Sequence, residues 1–311
     1  MENQRNISEF ILLGLPYNQN KQIFCFVFFL FCYLVLLVGK LLLLFSIQCS
    51  PLFNQAMYYF LSQIPHRHLL YLQRYTQINW RSASWEKDYF LWFKCMLQVL
   101  ILHFFGGTEI FILTAMAFDH YVAICKPLHY VIIMNRTRGN LLLAAWAGGA
   151  VHSFPQFFMA IGLPFFGRNK IDHYVCDIFP LLKIACTDTY ITGVLVIAFS
   201  VALVTVAVLL FVSYGLILFT LNNHSAEGRH RAHSPCGPHI TVAILFFVPV
   251  IFTYLRPPTT FPEDNVFALF CTIIAPMFNA LIYTIRNAEM KNNLNKFSIK
   301  LCFQRKHTFK E

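Results

Sequence analysis

The sequence predicts an all-α membrane protein, a seven-transmembrane helix bundle with its N-terminus outside. Three observations predict it. The 311 residues are 57% hydrophobic and only 12% charged, where a soluble domain carries about 25% charged residues. Seven apolar runs recur along the chain, and each crossing of a bilayer needs about 20 apolar residues. Lys and Arg collect in short connections and in the C-terminal segment. The net charge of +10 therefore reads as topology rather than as a polyanion-binding surface. Together these features exclude a disordered chain, a nucleic-acid-binding module and most soluble enzymes.

Residues 1–22 are too polar for a cleaved signal peptide, so span one is expected to serve as an uncleaved signal anchor. That span is Ile23–Ile47, interrupted by one charge, Lys40. Span two, Gln55–Tyr75, is weak. Spans three to seven are Phe93–Val122, Asn140–Leu163, Ile191–Leu221, Gly237–Tyr254 and Val266–Ile285. Most are too long and apolar for exposed soluble helices. In lipid only a helix satisfies its own backbone groups within one segment. Neither an internal repeat nor a second domain is visible, and residues 286–311 read as a basic cytoplasmic tail.

Orientation follows from the basic residues near span ends. The tail carries Arg286, Lys291, Lys296, Lys300, Arg305, Lys306 and Lys310; the segment after span three carries Lys126, Arg136 and Arg138; that after span five carries Arg229 and Arg231. These segments are expected inside, and an odd number of spans then puts the N-terminus outside. Of three N-x-S/T triplets, at Asn6, Asn135 and Asn223, only Asn6 lies outside and is expected to be glycosylated.

At span three the residues become specific. Met116-Ala-Phe-Asp-His-Tyr-Val-Ala-Ile-Cys-Lys-Pro-Leu-His-Tyr130 resembles the olfactory receptor signature, normally Met-Ala-Tyr-Asp-Arg-Tyr-Val-Ala-Ile-Cys. Phe10-Ile-Leu-Leu-Gly-Leu15, Ile171-Asp-His-Tyr-Val-Cys-Asp177 and Leu181-Leu-Lys-Ile-Ala-Cys186 fit the same family. So do Ser213-Tyr214, Phe247 to Pro257, Pro276-Met-Phe-Asn279, Ile282-Tyr283 and Arg286-Asn287. The resemblance covers nearly the whole chain outside about residues 63–94. It implies a rhodopsin-like G-protein-coupled receptor in the plasma membrane. Such a receptor binds small volatile odorants among its helices and couples to a stimulatory olfactory G protein that raises cAMP. It implies no catalysis, no cofactor and no metal.

The resemblance also assigns residues. Asp119, His120 and Tyr121 fall at the G-protein coupling end, with His120 where the family carries arginine. Arginine is always charged and presents a planar fork of donors; histidine is short and mostly neutral at pH 7. Weakened coupling is expected, the alternative being a tolerated variant. Cys95 and Cys176 match the family's disulfide. A second loop bridge is lost because Phe166 stands where its partner would be, leaving Cys186 unpaired. The odorant pocket is expected in the outer half of the bundle. Leu102, His103, Gly106 and Gly107 share a face of span three at i, i+1, i+4, i+5. Phe247, Ile251 and Tyr254 share one on span six. Plain helix packing is the competing reading of each. Glu109 lies about one turn deeper, structural or switching rather than catalytic. His224, His230, His233, Cys236 and His239 cluster near the loop before span six, but their spacing fits no zinc pattern.

Several residues depart from the pattern. Lys40 replaces an asparagine and is expected to snorkel toward the cytoplasmic face. Ala280 replaces a proline. Pro235 and Pro238 are expected to disrupt or delay the start of span six. Span two carries His66, Arg67 and His68 in mid-membrane. The family pattern resumes at Cys95 with normal spacing, as two compensating frameshifts would leave it. Suitable codons for residues 63–90, read one nucleotide later, restore receptor-like strings. The alternative reading of the chain is thus a retained, non-signalling product of a decayed receptor gene, held in the endoplasmic reticulum. A transporter or channel would show repeated halves and broken helices, which are absent.

Overall fold

A computed structural model describes residues 9–12, 19–48, 59–61, 89–166, 169–173, 175–222, 226–255 and 267–285. Its long elements are α1 (Gln19–Gln48), α2 (Trp92–Cys125), α3 (Tyr130–Ile161), α5 (Tyr190–Asn222), α6 (Ala226–Tyr254) and α7 (Ala275–Ile285). A short helix, α4 (Ile178–Ile184), precedes α5, and a π-helical turn, Phe270–Ile274, leads into α7. Residues 59–61 are helical and supply the described part of span two. The expected spans one and three to seven therefore each coincide with a helix. Residues 62–88, most of the foreign-looking stretch, lie outside the described residues, as do Asn6 and the tail.

Helix ends differ from the apolar runs. α3 starts ten residues before the apolar run of span four, and α6 eleven before that of span six. Hydropathy marks only the part of a helix that lipid would cover, and polar turns continue beyond it. The expected disruption by Pro235 and Pro238 is corrected, because α6 runs through both. The carbonyls they leave without an i+4 donor belong to Arg231 and Ser234. Both precede Cys236, where the apolar stretch Cys236–Tyr254 begins, so the freed acceptors fall outside the lipid-facing length.

Among the described residues Trp92–Cys125, Tyr190–Thr220 and Cys236–Tyr254 are long and apolar enough to cross a bilayer. Large apolar side chains point outward along them and their neighbours, including Phe24, Leu209, Phe158 and Phe219. A soluble protein would not expose such a belt. Inside, α2 is the central helix, packing chiefly on α3 and then on α5, while α1 packs on α7. The larger core joins Phe60 and Leu61 to Ile112, Met116, Leu210, Ala243 and Phe247.

A three-stranded sheet at one end was not expected from the sequence. β1 (Glu9–Leu12) pairs antiparallel with β2 (Tyr89–Leu91), Phe10 opposite Phe90, and parallel with β3 (Lys170–Ile171). Phe10 is fully buried, edge-on to Phe165 at 5.2 Å. It joins a second core around the Cys95–Cys176 disulfide and α4.

Candidate functional site: a lidded cavity between the helices

The Cys95–Cys176 bridge fastens a loop over the start of α2 across 81 residues of sequence. The Cys176 N–H donates to Gln98 Oε1 at 3.1 Å, fixing the loop's height on α2. The next residue, Asp177, is the N-cap of α4 and accepts from the Ile178 N–H at 2.7 Å. Its other partners reach it from below. His103 Nε2 donates to Asp177 Oδ1 at 3.0 Å, and the Tyr254 hydroxyl donates to Oδ2 at 2.8 Å. One buried carboxylate thus joins the loop, α2 and α6. Burial opposes its ionisation, but the His103, Tyr254 and Ile178 contacts outweigh that and hold its carboxyl below the ordinary value.

Below this cap lies a cavity enclosing about 750 Å³ of empty space, counting the part open to solvent. α2 contributes Leu102, His103, Gly106, Gly107 and Ile110. α3 contributes His152 and α5 contributes Ser200, Leu203 and Val204. α6 presents Phe246, Val250, Thr253 and Tyr254, and Ala268, Cys271 and Thr272 close the side toward α7. His173, Val175 and Asp177 descend from the loop. Such a mainly apolar space with a few convergent polar groups is the form of a small-molecule site. Gly107 matters sterically, since a Cβ there would meet His152 Cδ2 at 3.2 Å.

The structure brings together Leu102, His103, Gly106, Gly107 and Tyr254 as grouped from the sequence. Phe247 and Ile251 are corrected. Phe247 is 1% exposed in the core against Phe211 and Phe246, and neither residue lines the cavity, whose α6 wall lies one residue earlier. An all-round apolar helix gives no phase from its pattern alone. Asp177, His152 and Ser200 were missed. For Asp177 a signal existed: it follows a cysteine tethered eight residues, about 12 Å, before His103.

At the opposite end, Asp119 accepts from the Tyr130 hydroxyl at 2.9 Å. His120 is 4% exposed and turned inward, its ring edge-on to His239 at 5.4 Å. His239 in turn is hydrogen-bonded to the Tyr214 hydroxyl. Tyr121 is half-buried against the core. Between the ends, Asn279 Nδ2 donates to Glu109 Oε1 at 2.9 Å, joining α7 to α2. The expected snorkelling of Lys40 is corrected, because Lys40 is buried at 9% exposure and the Glu109 charge acts on it. Inward pairing replaces the reach to the surface. Cys186 is a free thiol that donates to the Phe166 carbonyl at 3.3 Å. Among the described residues no group of three or more His, Cys, Asp or Glu is placed to hold a metal; His224, His230 and His233 are outside the residues whose side chains are described.

A bundle of apolar helices around a lidded, ligand-sized cavity, with polar clusters at its far end, defines a multi-pass membrane receptor for a small molecule. Residues 29–300 match the family model described as olfactory receptor. Human olfactory receptor 4S2 is 49% identical over 300 residues, covering 95% of this chain and 96% of that protein. Human olfactory receptor 4A47 is 43% identical over 298 residues, 95% and 96% of the two chains. Mouse olfactory receptor 4B13 is 44% identical over 294 residues, 94% and 96%. The chain belongs to the olfactory receptor family. Its fold is the seven-transmembrane bundle of that family, whose members are odorant-binding signalling receptors of the plasma membrane acting through G proteins.

Proposed function

We propose that this receptor binds its odorant in the cavity beneath Asp177 and reports it through the end that carries Asp119, His120 and Tyr121. The observation that carries the reading is the three-way contact of Asp177 with His103 and Tyr254. A ligand entering beside it alters the tie between α2 and α6, and a two-state receptor responds to any ligand that favours one arrangement. Leu102, Gly106 and Gly107 shape the space, and Tyr254 and His103 orient the ligand. The reading includes an N-terminus of 1–22 outside, glycosylation at Asn6, a membrane domain of 23–285 and a cytoplasmic tail of 286–311. The basic segments after spans three, five and seven support it. Turnover of a substrate has no part in it, since Asp119, His120 and His239 are engaged with neighbouring side chains at the end away from the cavity.

The test uses cells expressing the full receptor with the olfactory G protein and a cAMP reporter. An odorant that raises cAMP is expected to lose at least tenfold in potency on Tyr254→Phe or Gly107→Val, at matched surface level. Unchanged potency in both variants would move the site elsewhere.

A further inference from the structure

We propose that the cavity selects neutral odorants that donate a hydrogen bond, alcohols and phenols, over carbonyl compounds, ethers, acids and amines. This rests on the cavity being the odorant site. The polar atoms of its wall carry the inference. The Asp177 carboxylate already receives three donors, from His103, Tyr254 and the Ile178 N–H. It is therefore no unpaired anion waiting for an ammonium group, and a carboxylic acid would set a second anion beside it. The Ser200 hydroxyl donates to the Val196 carbonyl at 2.8 Å, and the Thr253 hydroxyl to the Pro249 carbonyl at 2.9 Å. A hydroxyl has one proton and two lone pairs. With its proton on the helix backbone, each offers the cavity only lone pairs.

These two acceptors stand on different helices, α5 and α6, around one space. The remaining ring groups are engaged on their own elements. His173 Nδ1 takes the Val175 N–H at 3.2 Å, and the Gln156 amide lies 3.2 Å from a His152 ring nitrogen. An alcohol brings the proton that Ser200 or Thr253 accepts, while its carbon skeleton covers Leu203, Val204, Phe246 and Val250. A ketone, ester or ether brings a further acceptor to a wall of acceptors. A site that binds a hydroxyl by hydrogen bonding discriminates strongly against an analogue without one.

The experiment is a thermal-shift titration of the full-length receptor in detergent, paired with the cellular cAMP assay. The probes are matched sets on linear, cyclohexyl and benzyl skeletons, each as alcohol, carbonyl compound, methyl ether, acid and amine. The alcohols are expected to stabilise the receptor at concentrations at least tenfold below the other members. Ser200→Ala with Thr253→Val is expected to remove that advantage while leaving the weak carbonyl response in place. A carbonyl, ether, acid or amine that matches the alcohol overturns the selectivity. So does an alcohol preference untouched by the double variant. Stabilisation by alcohols without cAMP upholds it and places the failure in signalling. Stabilisation by no member of any set overturns both the selectivity and the cavity as odorant site.

Discussion

Asp177 is the residue at which loop chemistry becomes helix geometry. Its folded carboxyl titrates below the ordinary value of 3.8. The stabilisation it contributes is therefore complete above that value and lost only as pH falls through the lower folded one. Between pH 7.5 and 5 the thermal midpoint of the receptor is expected to show no loss from this group. Asp177→Asn is expected to lower stability by about 3–5 kcal/mol, the usual cost of breaking a buried pair, and Asp177→Glu by less. Thermal unfolding of the solubilised receptor at both pH values checks this, and an unchanged midpoint in the Asn variant would remove the tether from the account. His120 is the second such residue. It lies inward on His239, without the fork of donors an arginine would bring. His120→Arg is expected to raise the maximal odorant-dependent cAMP signal at least twofold at equal surface level. A flat or lower response would make His120 a tolerated variant.

At the scale of the element, α2 against α3 sets the bundle. Gly149 makes their close approach: a Cβ there would stand 2.1 Å from Thr108 Oγ1, 2.9 Å from Thr108 N and 3.0 Å from the Phe104 carbonyl. Two of those atoms are backbone and have no rotamer to yield, so α3 must move as a body. Gly149→Ala is expected to cost about 1–3 kcal/mol through overpacking and to reduce surface receptor several-fold by flow cytometry. Gly139→Ala, with open space around it, is the control. The elements were legible in the sequence for a simple reason, that lipid demands long apolar helices and the runs are unmistakable. The phase of each helix was legible only where polar or glycine residues break the apolar surround. His103, Gly106 and Gly107 mark the cavity face of α2, whereas α6 is apolar on all sides and its wall was misplaced by one residue. The fate of Lys40 was hidden too, since its partner Glu109 is 69 residues away and only the fold brings them into range.

For the whole molecule the open question is parity, because span two decides whether the chain crosses seven times or six. The case for seven is structural as well as familial. Phe60 and Leu61 are buried in the main core beside Met116 and Phe247, so the start of span two is held by helices that insert on their own hydropathy. At the far end of that stretch, Tyr89–Leu91 pairs with β1, and α2 begins directly after it. Both ends are thus anchored at opposite ends of the bundle. Arg67, His66 and His68 make the crossing costly, at about 2.5–3.5 kcal/mol for a central arginine on insertion scales. Against that stand the fixed neighbours and the basic segments after spans three, five and seven, which six crossings would place on the wrong side or set in conflict with the N-terminus. Tags at both termini separate the cases. Seven crossings are expected, with the N-terminal tag labelled on intact cells and the C-terminal tag only after permeabilisation. Equal accessibility of the two tags would mean six crossings, and a bundle in which α1 cannot pack on α7 as it does here.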